Sequence, residues 1–167
     1  MRILIKTILF TVFVPGTVTI AIPYWLLSHF QPRAPFSFGP WSLIGVVLIP
    51  TGAGAYLWCA WEFSTRGKGT PALWDPPVVF VATGLYRWVR NPMYLGILLM
   101  LVGEALAFDS LAIAVYAFLL GVGFHLIVIS IEEPLLQARF GQLYAEYRNA
   151  VPRWLPRRRK SGAGRPQ

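Results

Sequence analysis

Three stretches of this chain, Ile8–Leu27, Trp41–Trp61 and Leu111–Ile131, contain no Asp, Glu, Lys or Arg, and a fourth, Met93–Phe108, contains only Glu104. A bilayer's hydrocarbon core takes about 20 apolar residues per helix. No water is present there to satisfy backbone N–H and C=O groups, so a single crossing segment must be helical. These runs restrict the chain to an all-α integral-membrane fold of about four transmembrane helices. Charged residues make up 13% of the chain, against roughly 25% in soluble domains. We therefore read residues 1–167 as a single membrane domain.

Pro15 and Pro23 should bend the first span, which neighbouring helices tolerate. The loop from Ser28 to Pro40 carries Arg33 as its only formal charge. In the second span Gly45, Gly52, Ala53, Gly54 and Ala55 should let another helix approach closely. The Gly52-Ala53-Gly54 stretch is not a dinucleotide loop, because no strand precedes it. A polar connection, 62–92, follows, with a short apolar piece, Val78–Ala82, that reads as partly inserted. The third span is short for a full crossing. Asp109-Ser110 is so brief a loop that the third and fourth spans must form an antiparallel hairpin.

Pro134 disfavours helical geometry at Glu133, so the fourth helix is expected to end or kink there. A new helix can begin with proline in its first turn. Leu136, Phe140, Leu143 and Tyr147 recur at helical spacing. This predicts a cytoplasmic C-terminal amphipathic helix, lying on the membrane surface or against the polar connection. Residues 157–167 read as a basic, disordered tail whose Arg157-Arg158-Arg159-Lys160 run should bind anionic lipid.

Basic residues are concentrated at the N-terminus (Arg2, Lys6), in the second loop (Arg66, Lys68, Arg87, Arg90) and in the C-terminal region. The positive-inside rule then places both termini and the second loop in the cytoplasm, the membrane being a bacterial cytoplasmic one. The net charge of +8 has the same explanation and does not call for nucleic acid. Cys59 is the only cysteine, and His29 and His125 have no metal-ligand company, so no metal site is expected.

Two polar clusters flank the hairpin. Gly84–Gly96 reads GLYRWVRNPMYLG, and Glu132-Glu133-Pro134 follows the last apolar run. A cluster rich in Arg, Tyr and turn residues at a membrane edge is suited to holding a polar cofactor there. Two such clusters on one side of a bilayer suggest a site between them.

The stretch Tyr86-Arg87-Trp88-Val89-Arg90-Asn91-Pro92-Met93-Tyr94-Leu95-Gly96 resembles the R-(H/N)-P-x-Y-x-G motif of integral-membrane methyltransferases, which include isoprenylcysteine carboxyl methyltransferases and phospholipid methyltransferases. Glu132-Glu133, Phe140-Gly141, Tyr144, Tyr147 and Val151-Pro152 are similar to the family's C-terminal signature. The likeness covers about Gly67 to Pro156. It implies S-adenosylmethionine as methyl donor. It also implies Tyr86, Asn91, Pro92, Met93, Tyr94 and Glu132 as cofactor contacts, with Val78–Val81 a further contacting stretch. Two departures bear on the acceptor. Val128 stands where isoprenylcysteine enzymes tend to carry a substrate-holding arginine, and Asn91 replaces their usual histidine. Prenylated cysteine is therefore a poor candidate, and bacterial-type members are nearer.

The donor's carboxylate suits an arginine fork. Arg90 is the first candidate and Arg87 the second, the alternative for each being a positive-inside anchor. Tyr86, Trp88 and Tyr94 suit stacking on adenine or facing a sulfonium, against an interfacial aromatic belt. Asn91 and Pro92 could equally be the cap and first residue of the third helix. Glu132 and Glu133 point about 100° apart on a helix. We assign Glu132 to the ligand and Glu133 to capping the next helix. His125 lies seven residues before Glu132 on the same helical face, as an acceptor contact or base, or else as a packing histidine. Glu104 is expected to snorkel or bond a neighbouring helix. Asp75 either fixes a turn or meets a ligand. The expected activity is methyl transfer to a lipophilic acceptor, with Arg90, Glu132 and His125 nearest the chemistry. The alternatives are an NADPH-dependent, sterol-reductase-like enzyme and a non-catalytic membrane scaffold.

Overall fold

The computed structural model describes residues 2–30, 39–67 and 79–156. Arg33, Lys68, Asp75, Val78 and the basic tail 157–167 lie outside them. Regular structure among the described residues is helical: α1 (Arg2–Gly16), α2 (Ile22–Phe30), α3 (Pro40–Glu62), α4 (Pro92–Ala107), α5 (Leu111–Ile127) and α6 (Glu133–Ala150). π-Helical turns join α1 to α2 (Thr17–Ala21) and α5 to α6 (Val128–Glu132), and a third, Phe63–Gly67, extends α3. A 3-10 turn, Gly84–Arg87, leads towards α4. The continuous helices Ile5–Phe30, Pro40–Gly67 and Leu111–Ala150 are long and apolar enough to cross a membrane, and Pro92–Ala107 is a shorter apolar helix. The all-α membrane fold that the apolar runs demand is the fold observed.

Two of the π-turns stand in the same relation to a proline. Pro23 comes two residues after the turn Thr17–Ala21, and Pro134 two residues after Val128–Glu132. A proline inside an α-helix removes one N–H donor and presses its ring on the carbonyl four residues back. A wider π-turn at that point relieves both problems without breaking the helix. The expected break at Glu133 therefore does not occur: Glu133 is helical, with φ −62° and ψ −44°. The bend comes later, at Gly141, whose φ of +54° only glycine adopts freely. That bend shifts the expected apolar stripe. Phe140, Tyr144 and Tyr147 face the ring of Phe80, at centroid distances of 5.2, 6.1 and 5.0 Å. Leu143 points outward and is 54% exposed.

The Leu111–Ala150 helix has 40 residues. Its part ahead of the Gly141 kink, at 1.5 Å per residue, is about 45 Å long, well beyond the roughly 30 Å hydrocarbon core. Its apolar part ends at Ile131, so α6 lies beyond the membrane-spanning segment and packs on the polar connection through Phe80.

α3 and α4 form the tightest contact. Gly52 opposes Gly96, and Gly45 opposes Gly103, a spacing of seven residues on each helix running in opposite directions. A Cβ on Gly52 would sit 2.5 Å from the Gly96 carbonyl oxygen and 2.8 Å from Met100 N. The backbones touch, as small residues permit in lipid, where close dispersion contact drives helix association. Among the described residues nothing lies within 4 Å of a Cβ at Gly54, so only part of the small-residue stretch serves this contact. Tyr56, Ala60, Ile97, Met100, Leu101 and Ala117 form the core around it. α1 docks through a Thr11–Tyr56 hydroxyl pair at 3.2 Å and through Ser64 donating to Thr7 at 2.9 Å. Tyr116 of α5 donates to the Val18 carbonyl of the first π-turn at 3.1 Å.

Asp109, with φ +48°, turns the chain, and Ser110 Oγ caps α5 by accepting from Ile113 N. This is the expected hairpin. It brings the start of α4 and the end of α5 to one end of the bundle, where both polar clusters lie.

Candidate functional site

Glu132 and Glu133 diverge, as adjacent residues on a helical backbone must. Tyr94, in the first turn of α4, donates its hydroxyl to Glu132 Oε1. Arg90 Nη1 donates to Glu133 Oε1 at 2.9 Å and to the Tyr144 hydroxyl at 3.3 Å. Arg153 donates to the same carboxylate twice, from Nε at 2.6 Å and from Nη2 at 3.0 Å. Burial alone would raise the Glu133 carboxyl. The Arg153 hydrogen bond and the charges of Arg90, Arg153 and Arg148 outweigh it and hold that carboxyl below the usual carboxylate range. The same hydrogen bond raises Arg153 in return. The Arg90 side chain is only 10% exposed, and its Nε is buried with no hydrogen-bond partner among the described residues.

The capping roles expected from sequence are not what these side chains do. Glu133 does not cap α6. The π-turn makes the helix continuous, so its N–H groups are not orphaned, and the carboxylate is taken by two guanidiniums. Asn91 occupies the N-cap position of α4 but makes no side-chain cap. Its Nδ2 donates instead to the Arg153 carbonyl at 3.2 Å.

Residues 151–156 lie as a strap across the hairpin's end. Arg90 N donates to the Pro152 carbonyl at 2.9 Å. With the Asn91 and Glu133 bonds to Arg153, this ties the strap to both polar clusters. Trp154 Nε1 donates to His125 Nδ1 at 3.1 Å, fixing the next residue of the strap to α5. An indole N–H only donates, so Nδ1 is bare and the imidazole proton sits on Nε2. His125 Nδ1 is thus engaged by the strap.

Other candidates fall into two groups. Pro92 is buried at the start of α4, and Met93 packs against both hydrophobic clusters of the bundle. The Tyr94 ring lies 4.4 Å from that of Phe124. Tyr86 is 7% exposed and clusters with Cys59 and Val81, its ring 5.4 Å from Phe63 and its carbonyl taking the Tyr147 hydroxyl at 2.7 Å. It is core rather than an open stacking platform. Arg87 and Trp88 are exposed, as membrane-edge residues should be. Glu104 is half-buried in α4, away from the cluster, with Oε2 unpartnered among the described residues.

Sequence reasoning gave no site role to Arg153, Trp154 and Glu62 and named Tyr144 only within the C-terminal signature, yet the structure draws all of them in. Arg153 supplies half of the Glu133 network, Tyr144 completes it, and Trp154 engages His125. Glu62 is buried at the end of α3, where Thr83 Oγ1 donates to it and Arg66 lies 3.5 Å away. The available signals were an arginine directly after Val151-Pro152 and an acid in the last turn of an otherwise uncharged span.

A bundle of apolar helices carrying a buried acid–arginine cluster at one end of a hairpin defines an integral-membrane protein with a charged terminal site. The chain belongs to the phospholipid methyltransferase family, whose model matches residues 41–143. The match takes in α3, α4, α5 and the first half of α6. It reaches further back than the motif likeness and stops before Tyr144, Arg153 and Trp154. No curated protein and no solved structure matches the chain. By family, the protein is a membrane methyltransferase.

Proposed function

We propose that this protein is an S-adenosylmethionine-dependent methyltransferase acting on a lipophilic acceptor at the cytoplasmic face of a bacterial membrane, with both termini in the cytoplasm. The observation that carries this reading is the buried Arg90 Nε, unpartnered among the described residues, in the same terminal cluster of the hairpin that holds the Tyr94–Glu132 bond. A buried donor without a partner is costly. A ligand carboxylate resolves that cost with a charge-assisted bond. S-adenosylmethionine has such a carboxylate, together with an ammonium and ribose hydroxyls that a glutamate can accept from. The donor set therefore fits the group.

Arg90 and the partly exposed Arg153 would hold the carboxylate, and Glu132, oriented by Tyr94, would take the ammonium or a ribose hydroxyl. When bound, S-adenosylmethionine supplies an electrophilic methyl group. The chain's own residues contribute position and dryness, the main needs of an in-line displacement. Glu133 fixes the Arg90 guanidinium, the strap covers the hairpin's end, and Phe124 and Met93 give the Tyr94 side an apolar wall. The acceptor would arrive laterally from the bilayer, and the basic tail at 157–160 would hold anionic lipid.

Titration calorimetry in detergent tests the reading. The wild type should bind S-adenosylmethionine and not NADPH. Glu132→Gln and Arg90→Ala should each lose binding while circular dichroism shows the helices intact. No heat from the wild type sinks the donor assignment; undiminished affinity in both variants sinks the residue roles.

A further inference from the structure

Gln137 Oε1, on α6, is buried without a hydrogen-bond partner among the described residues, as is Arg90 Nε. The other end of the same amide fixes its orientation. Gln137 Nε2 donates to the Gly141 carbonyl at 3.0 Å, at the bend of α6. A carbonyl only accepts, so the amide nitrogen must face Gly141 and the oxygen must face away from it. The bend thus holds Gln137 as a preset acceptor. Ahead of the bend, Glu133, Gln137 and Phe140 share one face of α6 at helical spacing. Phe140 meets the Phe80 ring, and Glu133 takes Arg90 Nη1. Beyond the bend, the Tyr144 hydroxyl takes the same Nη1. Gln137 therefore stands between two residues that Arg90 touches, and one cluster holds both an orphaned donor and an orphaned acceptor.

We propose that Gln137 Oε1 accepts from the α-ammonium of the bound methyl donor, so that Arg90 Nε and Gln137 Oε1 together read the two charges of its amino-acid end. The proposal rests on the S-adenosylmethionine reading above and divides the ligand's contacts. A guanidinium N–H suits a carboxylate, and an amide oxygen suits an N–H donor. In an α-amino acid the carboxylate and the ammonium are attached to one carbon atom, so a donor and an acceptor in one cluster match both. The adenine amino group lies at the opposite end of the ligand from that carboxylate. Glu132 points about 100° away from Glu133 around the helix and is left to a ribose hydroxyl. Each orphaned atom is costly while unmatched. One zwitterion matches both, and a ligand lacking either charge leaves one of them unmatched.

The test is titration calorimetry of the full chain in detergent with two ligands: S-adenosylmethionine, and the analogue in which hydrogen replaces the α-ammonium. Gln137→Met keeps the length of the side chain and removes the amide oxygen. It should weaken S-adenosylmethionine about ten- to hundredfold, the range of a hydrogen bond to a charged group, and the analogue by less than about twofold. Gln137→Glu keeps an acceptor oxygen but loses the donor to Gly141, so it should retain the wild-type preference for the ammonium-bearing ligand. A residue that only braces the Gly141 bend behaves differently: both substitutions then weaken both ligands alike. That outcome, or unchanged S-adenosylmethionine affinity in Gln137→Met, overturns the proposal and leaves the methyl-donor reading standing. A wild type that binds neither ligand overturns both. Circular dichroism checks the helices of each variant. If Gln137→Met does not fold, Gln137→Glu decides alone: a retained ammonium preference supports the proposal and a lost one overturns it.

Discussion

Replacing Glu133 with Gln removes the one carboxylate that serves both Arg90 and Arg153. The Arg90 and Glu133 side chains are 10% and 11% exposed, so the Arg90 charge is left buried without its counter-ion. Breaking such a pair from one side costs about 3–5 kcal/mol. The Arg153 arm adds about 1 kcal/mol or less, because that side chain is 31% exposed and screened. A glutamine keeps an acceptor oxygen, but its amide N–H groups face guanidinium N–H groups. The total of about 4 kcal/mol corresponds to a fall in Tm of roughly 8–16 °C for a chain of this length. Thermal unfolding in detergent, followed by intrinsic fluorescence and circular dichroism, reads it directly, with Arg87→Gln as an exposed control that should not move. The pH dependence supplies a second signature. The folded Glu133 carboxyl lies below the unfolded value of about 4.3. Its stabilisation is therefore complete above that value and lost as pH falls through the folded one. Wild-type Tm should show no Glu133-dependent change between about pH 8 and 6 and fall in strong acid, with a smaller acid step in Glu133→Gln. A Glu133→Gln protein melting within about 2 °C of wild type at pH 7 would refute the network argument.

Three further outcomes follow from the same coordinates. Gly52→Ala places a methyl against the Gly96 carbonyl and should destabilise by about 1–3 kcal/mol, whereas Gly54→Ala, which meets no described residue, should be neutral or stabilise by up to about 1 kcal/mol; equal Tm values for the two would contradict the backbone contact. Asn91→Ala removes the bond to the Arg153 carbonyl and should cost about 1 kcal/mol, read as faster hydrogen exchange and tryptic cleavage at Arg153 than in wild type. Tyr94→Phe frees Glu132 from its hydroxyl donor while keeping the ring against Phe124, so donor affinity should drop about three- to tenfold with Tm lowered by only a few degrees; unchanged affinity would remove Tyr94 from the site.

The hairpin and the meeting of its two polar clusters were legible in the chain because each depends on local facts. Apolar run length fixes a span, and a two-residue loop fixes the direction of the next one. Partner choice was not legible in the same way. Arg90 reads as a free fork for a ligand, yet its Nη1 is committed to both Glu133 and Tyr144, 43 and 54 residues away. Arg153 enters only because the strap folds back over the hairpin. Tyr86 reads as a stacking ring and is instead core, since Cys59 and Phe63 reach it from the end of α3.

Sequence by itself determined that the chain is helical, lies in a membrane and carries its charge at one end, since hydropathy and charge act residue by residue. Tertiary structure alone decided that the helix continues through Pro134 and bends at Gly141. It alone decided that Gly52 rather than Gly54 meets α4, and that Trp154 engages His125. Each of these depends on which groups approach within a few ångströms. Proximity of that kind arises from packing between segments distant in sequence, which no local pattern encodes.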